Sequence, residues 1–337
     1  MNEILIKEAN QHLVGLLNEA FHHTDEHTAV VVYDTACPLS IILSEAYKRS
    51  LPNAIFIDFH ETIPQKIMEI FATLKPLDLV VLVQSRSFRL DSFRIRIELF
   101  KLKVKVIEHP HLNRMTDEES QVYVDSLEYD SKYYRGVGRA LKAKVDSATS
   151  GVIDSGGEFL VYSCAFESAK LNIGDYSQMN NIGGQFPIGE VFTEAQDLRA
   201  LNGRVNLFVF SDTSYKINYP KTPITLIIKE GQVVDCENST PKFEEILSLI
   251  RTGEGVVWVR ELGFGLNRAF SKTRTVCDTG TYERMCGIHL SLGAKHGIYG
   301  KPGFKRGDGK YHVDVFVDTH SFKLDDEVVY KDGAWIV

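Results

Sequence analysis

Four short apolar runs punctuate the first third of the chain: Ala29-Val30-Val31-Val32-Tyr33-Asp34, Ala54-Ile55-Phe56-Ile57-Asp58, Leu79-Val80-Val81-Leu82-Val83 and Val104-Lys105-Val106-Ile107. Runs this short, with little polar alternation, mark strands covered on both faces, as in parallel sheets. The intervals 38–50, 63–74 and 91–101 carry apolar residues at helical spacing, as does a leading stretch at 3–21. Strand and helix in alternation predict an α/β N-terminal scaffold domain over residues 1–148, a parallel sheet with helices on both faces. Its last stretch, Asp117 to Ala148, is helical and passes from acidic to basic. Gly136-Val137-Gly138 lies inside it; the glycine spacing then breaks and no strand precedes it, so it reads as helix rather than as a dinucleotide loop.

Beyond Ser150 the texture changes. Phe159-Leu160-Val161-Tyr162, Val205 to Phe210, Ile224 to Ile228 and Val256 to Val259 alternate or run apolar between Gly, Asn and Asp turns. Glu230-Gly231-Gln232 suits a hairpin turn, and Thr240-Pro241 opens a helix over 242–251. This is a β-rich α+β C-terminal domain, residues 149–337.

A chain of 337 residues is long enough for two such domains, and its net charge of -7 offers no footprint for nucleic acid or an anionic membrane. The basic stretch Arg86 to Lys105 is interleaved with Phe93, Ile95, Ile97, Leu99 and Phe100, which suits a solvated helix face. Five scattered cysteines with no Cys-x-x-Cys fit a reducing compartment. Acidic residues sit within Met1 to Glu8, where a signal sequence would be basic, and no apolar run approaches the ~20 residues of a membrane span. The expected address is the cytoplasm, with neither membrane nor nucleic acid as partner.

The chemistry gathers in the C-terminal domain. Glu190 stands in Pro187-Ile188-Gly189-Glu190-Val191-Phe192-Thr193, and Glu261 in Arg260-Glu261-Leu262-Gly263-Phe264-Gly265-Leu266-Asn267. Glu283 and His289 share Tyr282 to His289, and His312-Val313-Asp314 follows. Carboxylates mixed with imidazoles suit zinc, cobalt, manganese or iron, and the lack of paired cysteines argues against a thiolate site. His312 and Asp314, two apart on a strand, share a face and can reach one ion; taken alone, an exposed pair on an edge strand is the commoner meaning of such a step. His289, flanked by apolar residues, also fits a satisfied core histidine. Glu261 and Glu190 follow a strand and a Pro-Gly turn, where catalytic carboxylates and solvent are both found.

In order and approximate spacing, these segments resemble a known family across residues 145–337. Gly184 to Thr193 is similar to the "N-x-P-x-G-E-V-F-T" segment of the thermophilic metallopeptidases aminopeptidase T and aminopeptidase S. Glu261 to Asn267 resembles their "E-x-G-x-G-x-N", Gly287 to Gly293 their "H-x-A-x-G", Tyr311 to Asp314 their closing "H-x-D", and Val328 to Gly333 their final hairpin. The resemblance implies a homodimeric aminopeptidase with two divalent ions, zinc, cobalt or manganese, in a closed cavity that admits short peptides. On that analogy Glu190 bridges the ions, Glu283, His289, His312 and Asp314 complete their shells, and Glu261 is the general base. The family's acidic pair before the histidine reads Tyr282-Glu283 here, with Asp278 further back, and the gap from Glu283 to His289 differs slightly. A tyrosine seven residues past the histidine is His296, a candidate ligand or proton donor, and the loop Gly297 to Lys310 stands where the family has a longer insertion. Ring-cleaving dihydroxypyridine dioxygenases resemble the same family. Their single Fe(II) would take His289, His312 and Asp314, leaving the three glutamates unused. A non-catalytic relative that binds a peptide-like ligand is the remaining expectation.

Overall fold

The four N-terminal runs lie side by side as the parallel strands Ile55–Asp58, Ala29–Tyr33, Leu79–Val83 and Lys105–His109, in that order. In the computed structural model, which describes residues 2–90, 93–301, 304 and 309–337, a fifth strand, Gly183–Gln185, joins them beside Lys105–His109. The pleat sends alternate residues to opposite faces. Val30, Val32, Val80, Leu82 and Val106 share one face with Ile67 and Phe71 of helix Pro64–Ala72 and with Ile95 and Leu99 of helix Ile95–Lys101. His109, in the opposite phase, meets Tyr47 of helix Pro38–Ser50 and Tyr123 of helix Ser120–Asp125, each hydroxyl 2.8 Å from a ring nitrogen. Helices therefore cover both faces, as the periodicity predicts.

Three details differ from the sequence expectation. The helix expected over 91–101 runs only over Ile95–Lys101, behind a short strand Phe93–Arg94; residues 91 and 92 lie outside the described residues. The stretch Asp117 to Ala148 is two helices, Ser120–Asp125 and Ser131–Ser147. Arg96, expected on a solvated face, pairs at 2.6 Å with buried Glu108 of the neighbouring strand, because a carboxylate so placed needs a counter-charge.

The chain divides into two compact units, residues 1–134 with 174–188, and residues 135–173 with 189–337. A single boundary near 148 does not describe this, because Gly183–Gln185 belongs to the first unit's sheet. At Gly183, with φ at +101°, a Cβ would stand 1.9 Å from the Val106 carbonyl oxygen. At that position the strand can pair only because it lacks a side chain.

The second unit is built on an antiparallel sheet of fourteen strands among the described residues. Six of them frame the site in the order Leu201–Ser211, Val313–Val317, Gly287–Leu292, Val259–Gly265, Glu190–Glu194 and Lys170–Asn172. Helix Pro241–Glu254, capped by the Thr240 side chain, sets Phe243 edge-on to Phe210 of the first strand. Glu230 and Gly231, both at positive φ, turn the hairpin between Ile224–Lys229 and Gln232–Glu237. The strand expected at 256–259 is instead Val259–Gly265, bulged between Val259 and Leu262, so Glu261 lies inside a strand rather than after one. No helix among the described residues is long and apolar enough to cross a membrane.

Candidate metal centre

Four adjacent strands of the second unit carry the ligand-type side chains. Glu190 opens Glu190–Glu194 opposite Gly265, and Glu261 sits at the bulge of Val259–Gly265. His289, in Gly287–Leu292, lies between Gly263 and Phe316, while Asp314 lies opposite Ser291. The glycines explain why the imidazole fits. A Cβ at Gly263 would stand 2.1 Å from His289 Nε2, so the ring occupies the space a side chain would have taken. At Gly265 the missing Cβ lets the Met285 carbonyl come close.

These groups converge. His289 Nε2 is 3.5 Å from Glu190 Oε1 and 3.6 Å from Glu261 Oε1. His296 Nε2 is 3.2 Å from Glu261 Oε2, and His312 Nε2 is 3.0 Å from Asp314 Oδ1. His312 Nδ1 lies 3.1 Å from the Lys295 carbonyl, to which it donates, and this turns Nε2 inward toward Asp314. Glu190, Glu261 and His289 each offer a ligand atom within 4.8 Å of the others, the only such trio among the described residues of this unit. His289 Nε2, His296 Nε2 and Asp314 Oδ1 are buried without a hydrogen bond. They meet only one another's ligand-type groups, at 3.0 to 3.6 Å, and a divalent ion with nitrogen and oxygen ligands would satisfy them together. The residues present therefore fit a metal.

The electrostatics agree. Burial alone would depress the His289 imidazole, but Glu261, Glu190 and Asp314 overrule it and push it up to about 9. Burial opposes the charge of His312 as well, yet Asp314 and Glu261 push it up to about 10. Glu261 shows the mirror effect: burial would raise its carboxyl, but His289, His296 and His312 hold it well below the usual range.

One cation is built in. Arg284 is buried, and its Nη1 lies 3.1 Å from Glu190 Oε2 and also holds the Glu283 carboxylate. Burial pushes Glu283 up to about 8, against the opposing charge of Arg284 and with help from Glu190 and Asp314. Burial opposes the guanidinium's charge too, but Glu190 and Glu283 more than compensate and keep it charged.

A clamp fixes the loop that carries His296. Arg260 pairs with Glu194 and reaches the Ala294 and Tyr299 carbonyls at 2.7 and 3.3 Å. Lys301 binds Glu167 and donates to the Ala195 carbonyl at 2.6 Å; the Tyr299 hydroxyl donates to the Ser168 carbonyl at 2.8 Å. Beside His296 lies a cavity of about 470 Å³, lined by Arg260, Lys295, Ile298, Tyr299 and Phe304 among others. Of the loop Gly297 to Lys310, residues 302–303 and 305–308 lie outside the described residues.

The structure thus brings Glu190, Glu261 and His289 together, sets His296 against Glu261, and pairs His312 with Asp314. His289, His312 and Asp314 do not form a comparable trio, and Glu283 stands on Arg284. Sequence reading missed Arg284, Arg260, Lys301 and the spacing role of Gly263. The only signal was adjacency to motif residues: Arg284 touches its neighbour Glu283, but Glu190, Glu194, Glu167 and His289, the other partners that give these residues a role, are remote in sequence.

In sequence, no protein-family model matches this chain and no curated protein matches it. In structure, it is similar to wild-type AmpT from Thermus thermophilus, with a TM-score of 0.55 and 11% identity over 97% of this chain and 99% of that one. The two share a fold from end to end.

Proposed function

We propose that the chain is a metal-dependent hydrolase of the aminopeptidase kind, removing N-terminal residues from short peptides. The observation that carries this is the trio Glu190, Glu261 and His289, converging in a buried pocket where imidazole nitrogens make no hydrogen bond. The fold shared with AmpT, an aminopeptidase T, supports it. A divalent ion such as zinc, cobalt or manganese would supply a Lewis acid and water acidified toward neutrality.

Glu190, Glu261 and His289 would hold that ion, with Asp314 and the inward-turned His312 beside it. The analogy with the peptidases cast Glu261 as base and Glu283 as ligand; we assign them the reverse. Glu261 belongs to the converging trio and stays ionised, as a ligand must. Glu283 is outside the trio, and its carboxyl, pushed up to about 8, can hold or release a proton near neutrality. Arg284 orients it, and the clamped loop presents His296 to Glu261. The cavity beside His296 has room for a short peptide.

Two substitutions test the assignment. Glu283→Gln is expected to keep its metal and lose about 10²- to 10⁴-fold in peptide turnover. Glu261→Gln is expected to lose the metal itself. Full turnover by Glu283→Gln, or undiminished metal content in Glu261→Gln, would reject the assignment; failure of the metal-loaded protein to cleave any short peptide would reject the hydrolase.

A further inference from the structure

Arg284 occupies one approach to the carboxylate of Glu190. The two oxygens of that carboxylate have different neighbours: Oε1 faces His289 Nε2 at 3.5 Å, and Oε2 faces Arg284 Nη1 at 3.1 Å. A carboxylate ligand lies about 2.0–2.2 Å from its metal, so an ion on Oε2 along the guanidinium's approach would fall roughly 1 Å from that nitrogen. Steric overlap excludes an ion from that approach, and the like charge opposes one on Oε2 from any other. Arg284 cannot escape by losing its proton, since guanidinium stays charged in proteins, and its buried side chain is held by Glu283 as well as Glu190.

The donor inventory points the same way. Among the described residues of this unit there is one trio of converging ligand atoms. The remaining groups pair off, His296 with Glu261 and His312 with Asp314. We infer that the centre holds one divalent ion, and that Arg284 is a built-in cation standing in for a second. The inference rests on reading this cluster as a metal centre and specifies its stoichiometry. Glu190 then binds through one oxygen only, its other oxygen fixed by the guanidinium, so the orientation of this ligand is set by the protein.

The test is a count of ions. Chelator-treated full-length protein would be titrated with Co²⁺ by calorimetry and by equilibrium dialysis with elemental analysis. One ion per chain is expected for the wild type and for Arg284→Lys, which keeps the charge. Arg284→Gln is expected to take up two, with the cobalt electron paramagnetic resonance signal weakened by coupling between neighbouring ions. If Arg284→Gln does not fold, Arg284→Met, which removes the charge but keeps the bulk of the stem, serves in its place. Two ions in the wild type would overturn the inference while leaving the metal centre standing. One ion in both the wild type and the charge-free variant would show that Arg284 is not what excludes the second. No Co²⁺ bound at all would remove this inference and the metal-centre reading together.

Discussion

At Gly263 the absence of a methyl group decides where an imidazole can stand. Its Cβ would lie 2.1 Å from His289 Nε2, the very atom aimed at Glu190 and Glu261. Gly263→Ala must therefore displace the ring or the strand. Overpacking of this kind costs about 1–3 kcal/mol, and a mispositioned ligand lowers metal affinity about 10–100-fold. A chelator-competition assay would register the loss, and unchanged affinity would show that the ring is not held by this contact. Residue chemistry was the most legible part of the sequence: Glu190, Glu261, His289, His312 and Asp314 were identifiable by type and motif, and all five lie in the cluster. Their roles were not. Whether Glu261 or Glu283 is a ligand depends on which of them meets His289, and that contact, like the one that ties Arg284 to Glu190, is made across the fold.

The strand Lys105–His109 shows the same division one level up. Its apolar run was plain in the sequence, but the burial of His109 between Tyr47 and Tyr123 was not, because both partners come from distant helices. Burial lowers the imidazole to about 3. An unfolded chain takes up that proton near 6.5, so between these values the unfolded state binds more protons than the native one. The contribution is whole above pH 6.5 and is lost as pH falls toward about 3, at about 1.4 kcal/mol per unit. Urea denaturation at neutral and mildly acidic pH should show this slope in the wild type and a flatter one in His109→Gln. Equal slopes would mean that His109 is not kept neutral by the fold. Gly183–Gln185 was the least legible element, since the backbone approach excludes a side chain at Gly183 and the Gly-Gly-Gln segment holds none of the apolar residues by which strands are read.

At the scale of the whole molecule, the parallel α/β unit and the β-rich character of the second unit were apparent from hydrophobic period, whereas the antiparallel pairing of that second sheet was not; the fold is shared with AmpT at 11% identity. The partition was harder to see. The chain passes between its units at 134/135, at 173/174 and again at 188/189. A fragment spanning residues 149–337 carries Gly183–Gln185 without the strand it pairs with, and is expected to be poorly soluble and to lack cooperative melting. A sharp thermal transition from that fragment, followed by circular dichroism, would refute this.

The last of those passages falls one residue short of Glu190, ahead of Gly189. The carboxylate shared between the trio and Arg284 is therefore reached only by way of a strand lent to the other unit. Recombination could not deliver this centre as a cassette. A gene segment encoding the antiparallel sheet alone would arrive with its first acidic ligand tethered to a missing neighbour, so the two halves of this protein are constrained to be inherited together.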